Sequence, residues 1–121
     1  METKMKYMAL IYANEATDAV PGTDEYKELI MEYHAATKVY VDDGVLVAGD
    51  ALESVNTATT IRKRKGKIET IDGPFAETKE QLGGYYVFDC KNLDDAIKYA
   101  SMIPSAKYGS VEVRPIMTIE M

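Results

Sequence analysis

The sequence predicts an α+β fold in two layers, a sheet with two helices laid on one face. Two segments carry apolar residues at helical three-and-four spacing, each lies between short strand-like apolar runs, and a charged hairpin separates the two halves. The first run, "MKYMALIY" from Met5 to Tyr12, is dense in aliphatic and aromatic residues and suits a central strand buried on both faces. "ANEATDAVPGTD" then has the Pro-Gly and Asn/Asp/Thr content of a loop, and Thr23 or Asp24 can cap a helix. Glu25 and Glu28 suit its first turn, where the helix dipole favours negative charge. Tyr26, Leu29, Ile30, Tyr33, Thr37, Tyr40 and Val41 form its apolar stripe, and Gly44 is its stop.

A second strand begins at Val45 in "VLVAGDAL". "TATTIRKRKGKIETI" alternates as a hairpin does, with Lys65 and Gly66 at the tip and its charged arms facing water. "YYVFDC", Tyr85 to Cys90, is a further strand. Asn92 caps a second helix through Leu93, Ala96, Ile97, Ala100 and Ile103, with Asp95 placed to bond back to the cap and Pro104 ending it. A last strand in "SVEVRPIMTIEM" places Val111, Val113, Met117 and Ile119 on one side, and Pro115 favours an edge or a bulge.

Two split strand-helix-strand halves in tandem make the ferredoxin-like plan, a mixed and mainly antiparallel sheet with an extra β-hairpin. Such a sheet leaves its second face uncovered, and packing it on a copy of itself is the simple remedy, so a homodimer is expected.

The 121 residues suit one domain spanning the chain. An apolar fraction of 46% and a charged fraction of 28% are those of a soluble globular protein. No run approaches the length of a membrane span and the N-terminal stretch lacks the pattern of a signal peptide, so a cytoplasmic protein without a membrane partner is expected. A net charge of -6 argues against a nucleic-acid partner, although "IRKRKGK" gathers five of the fourteen basic residues. Cys90 is the only cysteine and His34 the only histidine, which excludes an internal disulfide and a Cys/His zinc site within one chain. Neither a phosphate loop nor a dinucleotide fingerprint occurs, and no metal or cofactor is expected.

The stretch "IDGPFAETKEQLGGYYV", Ile71 to Val87, gathers turn-formers and charges. Asp72 before Gly73 can accept backbone N–H bonds, Pro74 restricts Gly73 to extended geometry, and Phe75 can anchor the loop in apolar surroundings. Thr78 and Gln81 have capping-box spacing for a single helical turn through Lys79 and Glu80. Gly83 and Gly84 allow a sharp turn into Tyr85 or a close approach of another chain or ligand.

The order of residues in this stretch is similar to the signature of the YCII-related family, in particular its DGPF branch. The likeness extends through "GVLVAGDAL", "TATTIRKRKGK", "NLDDAIKYASMIP" and "GSVEVRPI", from Gly44 to Ile116. The resemblance implies a ferredoxin-like subunit that pairs into a dimeric α/β barrel. It also implies a family with few assigned activities, in which some members are proposed enzymes with a His-Asp pair in a cleft. Genes of the DGPF branch often lie beside those of extracytoplasmic-function sigma factors.

Two functions of different classes follow. In one, a small-molecule enzyme uses Asp72 or His34 as general base, with Asp50 or Asp72 as a partner for His34. Glu77 or Glu80 then supplies a second charge, and Lys79 or Arg114 orients an anionic substrate. In the other, the same cleft binds a metabolite, or the chain is a regulatory or protein-interaction module, without chemistry. Asp72, Phe75, Glu77, Lys79, Glu80 and Arg114 are the candidate ligand contacts in either case, beside the reading of Asp72 as a turn cap and of the charges as surface pairs. His34 also reads as a half-buried structural residue, Cys90 as a small core residue, and Tyr7, Tyr12, Tyr85 and Tyr86 as core or interface, although a tyrosine-lined cleft would suit a small aromatic ligand.

Overall fold

The structure, a computed structural model, describes residues 5–119. Its elements run β1 (Met5–Ala13), α1 (Asp24–Asp42), β2 (Leu46–Ala51), β3 (Thr59–Arg64), β4 (Lys67–Asp72), β5 (Gln81–Cys90), α2 (Leu93–Ala100) and β6 (Ser110–Pro115). Four strands form one sheet in the order β2-β5-β1-β6, and β3 pairs with β4 in a separate hairpin. β1 and β2 both run antiparallel to β5, which lies between them, and β5 and β6 both run antiparallel to β1. Each helix therefore links two parallel strands separated by a third, the split βαβ arrangement. This α+β architecture fits the ferredoxin-like plan, with one correction. Every strand pair is antiparallel, so the sheet is not mixed.

Alternation along the strands decides which face the helices cover. Tyr7, Ala9 and Ile11 of β1 and Phe88 and Cys90 of β5 are buried with Ala36 and Tyr40 of α1 and Ala96, Tyr99 and Ala100 of α2. Tyr40 is the hub. Its ring meets Phe88 edge-on at 4.7 Å and Tyr86 at 5.1 Å, and its hydroxyl donates to the Tyr99 carbonyl at 2.7 Å. Ala36 joins this stripe, whereas Val41, assigned to it from spacing, is 59% exposed. Cys90 is buried as a core residue, and burial pushes its thiol upward in pKa.

Both helix caps follow the sequence: the Thr23 hydroxyl accepts from the Tyr26 N–H and the Asn92 side chain from the Asp95 N–H. The second helix stops at Ala100, short of the Ile103 and Pro104 expected to finish it, and Pro104 instead opens a 3-10 turn, Pro104–Lys107, that the spacing does not predict. Lys65 and Gly66 both have positive φ at the hairpin tip, the turn chemistry that suits two twisted strands.

Several expectations fail at the ends of elements. β5 starts at Gln81, not Tyr85, so both glycines of the Gly83-Gly84 pair are strand residues. Thr78 and Gln81 form no helical turn; the Thr78 hydroxyl donates to the Glu80 carbonyl and the Gln81 amide to the Thr78 carbonyl, closing the loop on itself. Gly73 takes φ of +98°, a backbone open to glycine rather than the extended geometry expected before proline. β6 stops at Pro115, leaving Met117 and Ile119 exposed, and the end of the strand expected to run to residue 121 lies outside the described residues. Among the described residues no helix is long and apolar enough to cross a membrane.

Candidate functional site

α1 crosses the sheet so that its C-terminal half packs on the core, while its N-terminal half stands over a cleft of about 580 Å³. Tyr26, Leu29, Ile30, Tyr33, His34 and Thr37 form the helical wall, and Ile11, Leu46, Gly49, Gly84 and Tyr86 contribute from the sheet. Ser105 and Tyr108 close one side and Asp18, from the loop after β1, another. The helical period places residues 26, 30, 33 and 37 on one stripe, which is why a run of tyrosine and aliphatic side chains shares one wall.

Hydrogen bonds hold several of the polar groups. The hydroxyls of Tyr33 and Ser105 lie 2.6 Å apart and those of Thr37 and Tyr86 lie 2.9 Å apart, so two tyrosines are pinned across the cleft. Burial raises the pKa of the Tyr33 hydroxyl, against the opposing effect of its bond to Ser105. Gly49 and Gly84 make the floor: a Cβ at Gly49 would lie 2.6 Å from the Tyr86 ring, and one at Gly84 would lie 2.8 Å from the Asp50 carbonyl oxygen. Side chains at either position would displace the strands or the ring that shape the site.

Asp18 differs from the other polar groups. Its Oδ1 is enclosed and has no hydrogen-bond partner, and its carboxyl is held above the usual range first by burial and then by the charge of Glu15. Glu15 is committed elsewhere, accepting from the Ser54 hydroxyl and the Val55 N–H at 3.0 Å each. Among the described residues, no lysine or arginine lines the cleft, and no cluster of His, Cys, Asp and Glu is suited to a metal ion.

The residues singled out from sequence are dispersed. His34 lines the cleft and is exposed there rather than half-buried. Asp50 also borders it, but its carboxylate accepts from the Tyr85 hydroxyl at 2.8 Å, on the face of β5 opposite to Tyr86 and α1. His34 and Asp50 are therefore not brought together as a pair. Asp72 ends β4, exposed and opposite Thr59, away from the cleft lining. Phe75 is 77% exposed within the single chain and anchors no apolar surroundings there. Glu77 and Lys79 are exposed, Glu80 accepts from the Ser110 hydroxyl at 2.9 Å, and Arg114 pairs with Glu112 at 3.2 Å on β6. Of the "DGPFAETKEQLGGYY" stretch, only its end, Gly83 to Tyr86, reaches the cleft.

Asp18, Ser105 and Tyr108 were not legible as site residues, because a single aspartate in a polar loop and a turn after proline have no distinguishing spacing. The tyrosines of α1 did carry a signal, as an aromatic stripe on one helical face.

The whole described fold falls within a match to the YCII-related domain, which spans residues 5–120. The chain belongs to the YCII-related family. It is similar to an uncharacterised protein of Rhizobium meliloti (strain 1021), with 37% identity over 114 residues, 93% of this chain and 92% of the relative. For this YCII-related chain the cleft under α1 is a concave site that combines aromatic and aliphatic side chains with a few polar groups, a composition common among small-molecule pockets.

Proposed function

We propose that this YCII-related chain, of the DGPF branch, is a cytoplasmic homodimer that binds a small organic molecule in the cleft beneath α1. The observation that carries the reading is the cleft itself: about 580 Å³, walled by tyrosine and aliphatic side chains, with glycines where strands or rings need a close approach. The DGPF loop acts through its end, since Gly83 and Gly84 lead from it into the cleft floor.

Pairing into a barrel is supported by the apolar surface left on the sheet face away from the helices. By register, Met8, Leu10 and Tyr12 of β1, half-buried in the single chain, lie on that face beside Tyr85 of β5. The hairpin adds Ile61 and Ile68, 67% and 70% exposed on its outward side, and a two-stranded ribbon is marginal unless something packs on it.

Two experiments test the reading. Light scattering across concentration is expected to give a dimer, and Leu10→Asp, which sets a charge in the middle of the open sheet face, is expected to give a folded monomer. A monomeric wild type at every concentration would end the barrel model. Thermal-shift screening of metabolites is expected to give hits that Ile30→Trp, which fills the cleft, abolishes; hits indifferent to that change would place the ligand elsewhere.

A catalytic reading has one observation in its favour, the position of the sole imidazole in the cleft wall. In that reading His34 moves a proton without help from Asp72 or Asp50, and His34→Gln retains binding of a screened ligand while ending its turnover.

A further inference from the structure

A second concavity, about 250 Å³, adjoins the cleft and shares Asp18, Ala19, Leu29 and Tyr108 with it. Its rim carries Glu25, Glu28 and Glu32 from the outer side of α1. Among the described residues Lys107 is its only basic lining residue, and that ammonium is already paired with Glu32 at 2.6 Å. Asp18 thus stands in the wall between an acidic groove open to solvent and a cleft lined by tyrosines and aliphatic side chains.

We propose that the cleft selects small organic cations, taking an aryl or alkyl body between the α1 tyrosines and the sheet and directing its ammonium group to Asp18. This rests on the small-molecule reading of the cleft given above and specifies the charge of the ligand. Asp18 is half-buried and lines the cleft, its Oδ1 is enclosed by protein without a hydrogen-bond donor, and an ammonium that meets the accessible part of that carboxylate brings both a donor and a positive charge.

Three further features act in the same direction. Among the described residues, no lysine or arginine in the cleft lining would compete for Asp18 or attract an anion. Tyr26, Tyr33 and Tyr108 present aromatic rings, whose faces attract cations. The glutamates of the neighbouring groove raise the local concentration of cations at the entrance. An anionic ligand would instead set its charge against the half-buried Asp18 carboxylate, which reverses the expectation of an anionic substrate oriented by Lys79 or Arg114.

The test uses matched amines, alcohols and carboxylates on the same aryl and alkyl bodies, with 2-phenylethylamine, 2-phenylethanol and phenylacetate as the leading set, titrated by NMR into the full chain. The amines are expected to bind about tenfold or more tightly than the alcohols, as a charge-assisted bond in place of a neutral one implies, and the carboxylates weakest. Asp18→Asn is expected to remove the advantage of the amines and leave the alcohols within about twofold.

Should Asp18→Asn fail to fold, the doubly substituted Glu25→Gln, Glu28→Gln chain provides the second readout. It is expected to weaken amine binding by about threefold at low salt and to have little effect at high salt, where the field of the groove is screened. Amines that bind no better than alcohols, or whose advantage survives Asp18→Asn, overturn the inference while leaving the cleft as a site for neutral molecules; an amine affinity unchanged in the double variant at low salt overturns the role of the groove. Absence of binding by all three classes overturns the small-molecule reading itself.

Discussion

Two adjacent glycines on β5 allow the packing argument to be tested with the chemistry held constant. Neither Gly83 nor Gly84 has a positive φ, so alanine fits either backbone and only the space around the new methyl group differs. At Gly83, which is exposed, a Cβ meets nothing within 4 Å. At Gly84, which is buried, it would lie 2.8 Å from the Asp50 carbonyl oxygen and 3.3 Å from the Ala51 Cα, both backbone atoms of the paired strand β2. A side chain could swing aside, but here a strand must move. Such overpacking costs about 1–3 kcal/mol. Alanine also narrows the unfolded ensemble, which contributes roughly 0.4–1 kcal/mol to stability at both sites.

Gly83→Ala should therefore be slightly more stable than wild type and Gly84→Ala less stable by about 1–2 kcal/mol net. At roughly 4 °C per kcal/mol for a chain of this size, the two variants should melt about 6–12 °C apart. Urea unfolding followed by circular dichroism at fixed protomer concentration measures the difference, and an unchanged m-value would locate it in the folded state. If Gly84→Ala matches or exceeds Gly83→Ala in stability, the close approach of β2 to β5 is wrong, and so is the floor of the cleft.

Tyr40→Phe keeps the aromatic contacts of the core and deletes the hydroxyl that donates to the Tyr99 carbonyl; because the Met102 N–H still reaches that carbonyl at 3.1 Å, the loss should be only about 1 kcal/mol, read as a lower urea midpoint at constant m. A loss above about 3 kcal/mol would mean the hydroxyl has a further role in the core. Asp18 gives a pH signature. Its carboxyl is raised above the ordinary 3.8, so the folded chain holds that proton more tightly than the unfolded one, and stability from this group falls as pH rises through the folded value. Asp18→Asn should accordingly be more stable than wild type at pH 7, with the gap closing as pH falls toward the ordinary carboxyl range; thermal melts at pH 4 and 7 decide it, and a gap that widens in acid contradicts the burial of Asp18.

Much of the architecture was legible because its signals are local. Thr23 and Asn92 announce helix starts by their own side chains and Lys65-Gly66 marks the hairpin tip, whereas β1, expected to be buried on both faces, is fully buried only on the helix side. The misreadings fall where a long-range pairing overrides a local signal. Gly83 and Gly84 look like a turn in isolation, but pairing with β1 and β2 draws them into β5. Phe75 looks like an anchor, yet its loop leaves the hairpin on a path where the ring meets little of its own chain.

The candidate site divides in the same way. The sequence by itself determined the tyrosine stripe of α1, the glycines at the end of the DGPF loop and membership in a family whose signature they carry, since each depends on spacing within a short segment. Only the tertiary structure decided which charges accompany that stripe. Tyr33 meets Ser105 across 72 positions of chain, Asp18 enters from the loop after β1, and Asp72, Glu77 and Lys79 lie outside the cleft although the Gly83-Gly84 end of their own stretch reaches it. Periodicity specifies the face a residue shares with its neighbours along the chain; the crossing of α1 over the sheet specifies which distant residues face it, and that is how an uncompensated carboxylate came to stand beside the aromatic wall.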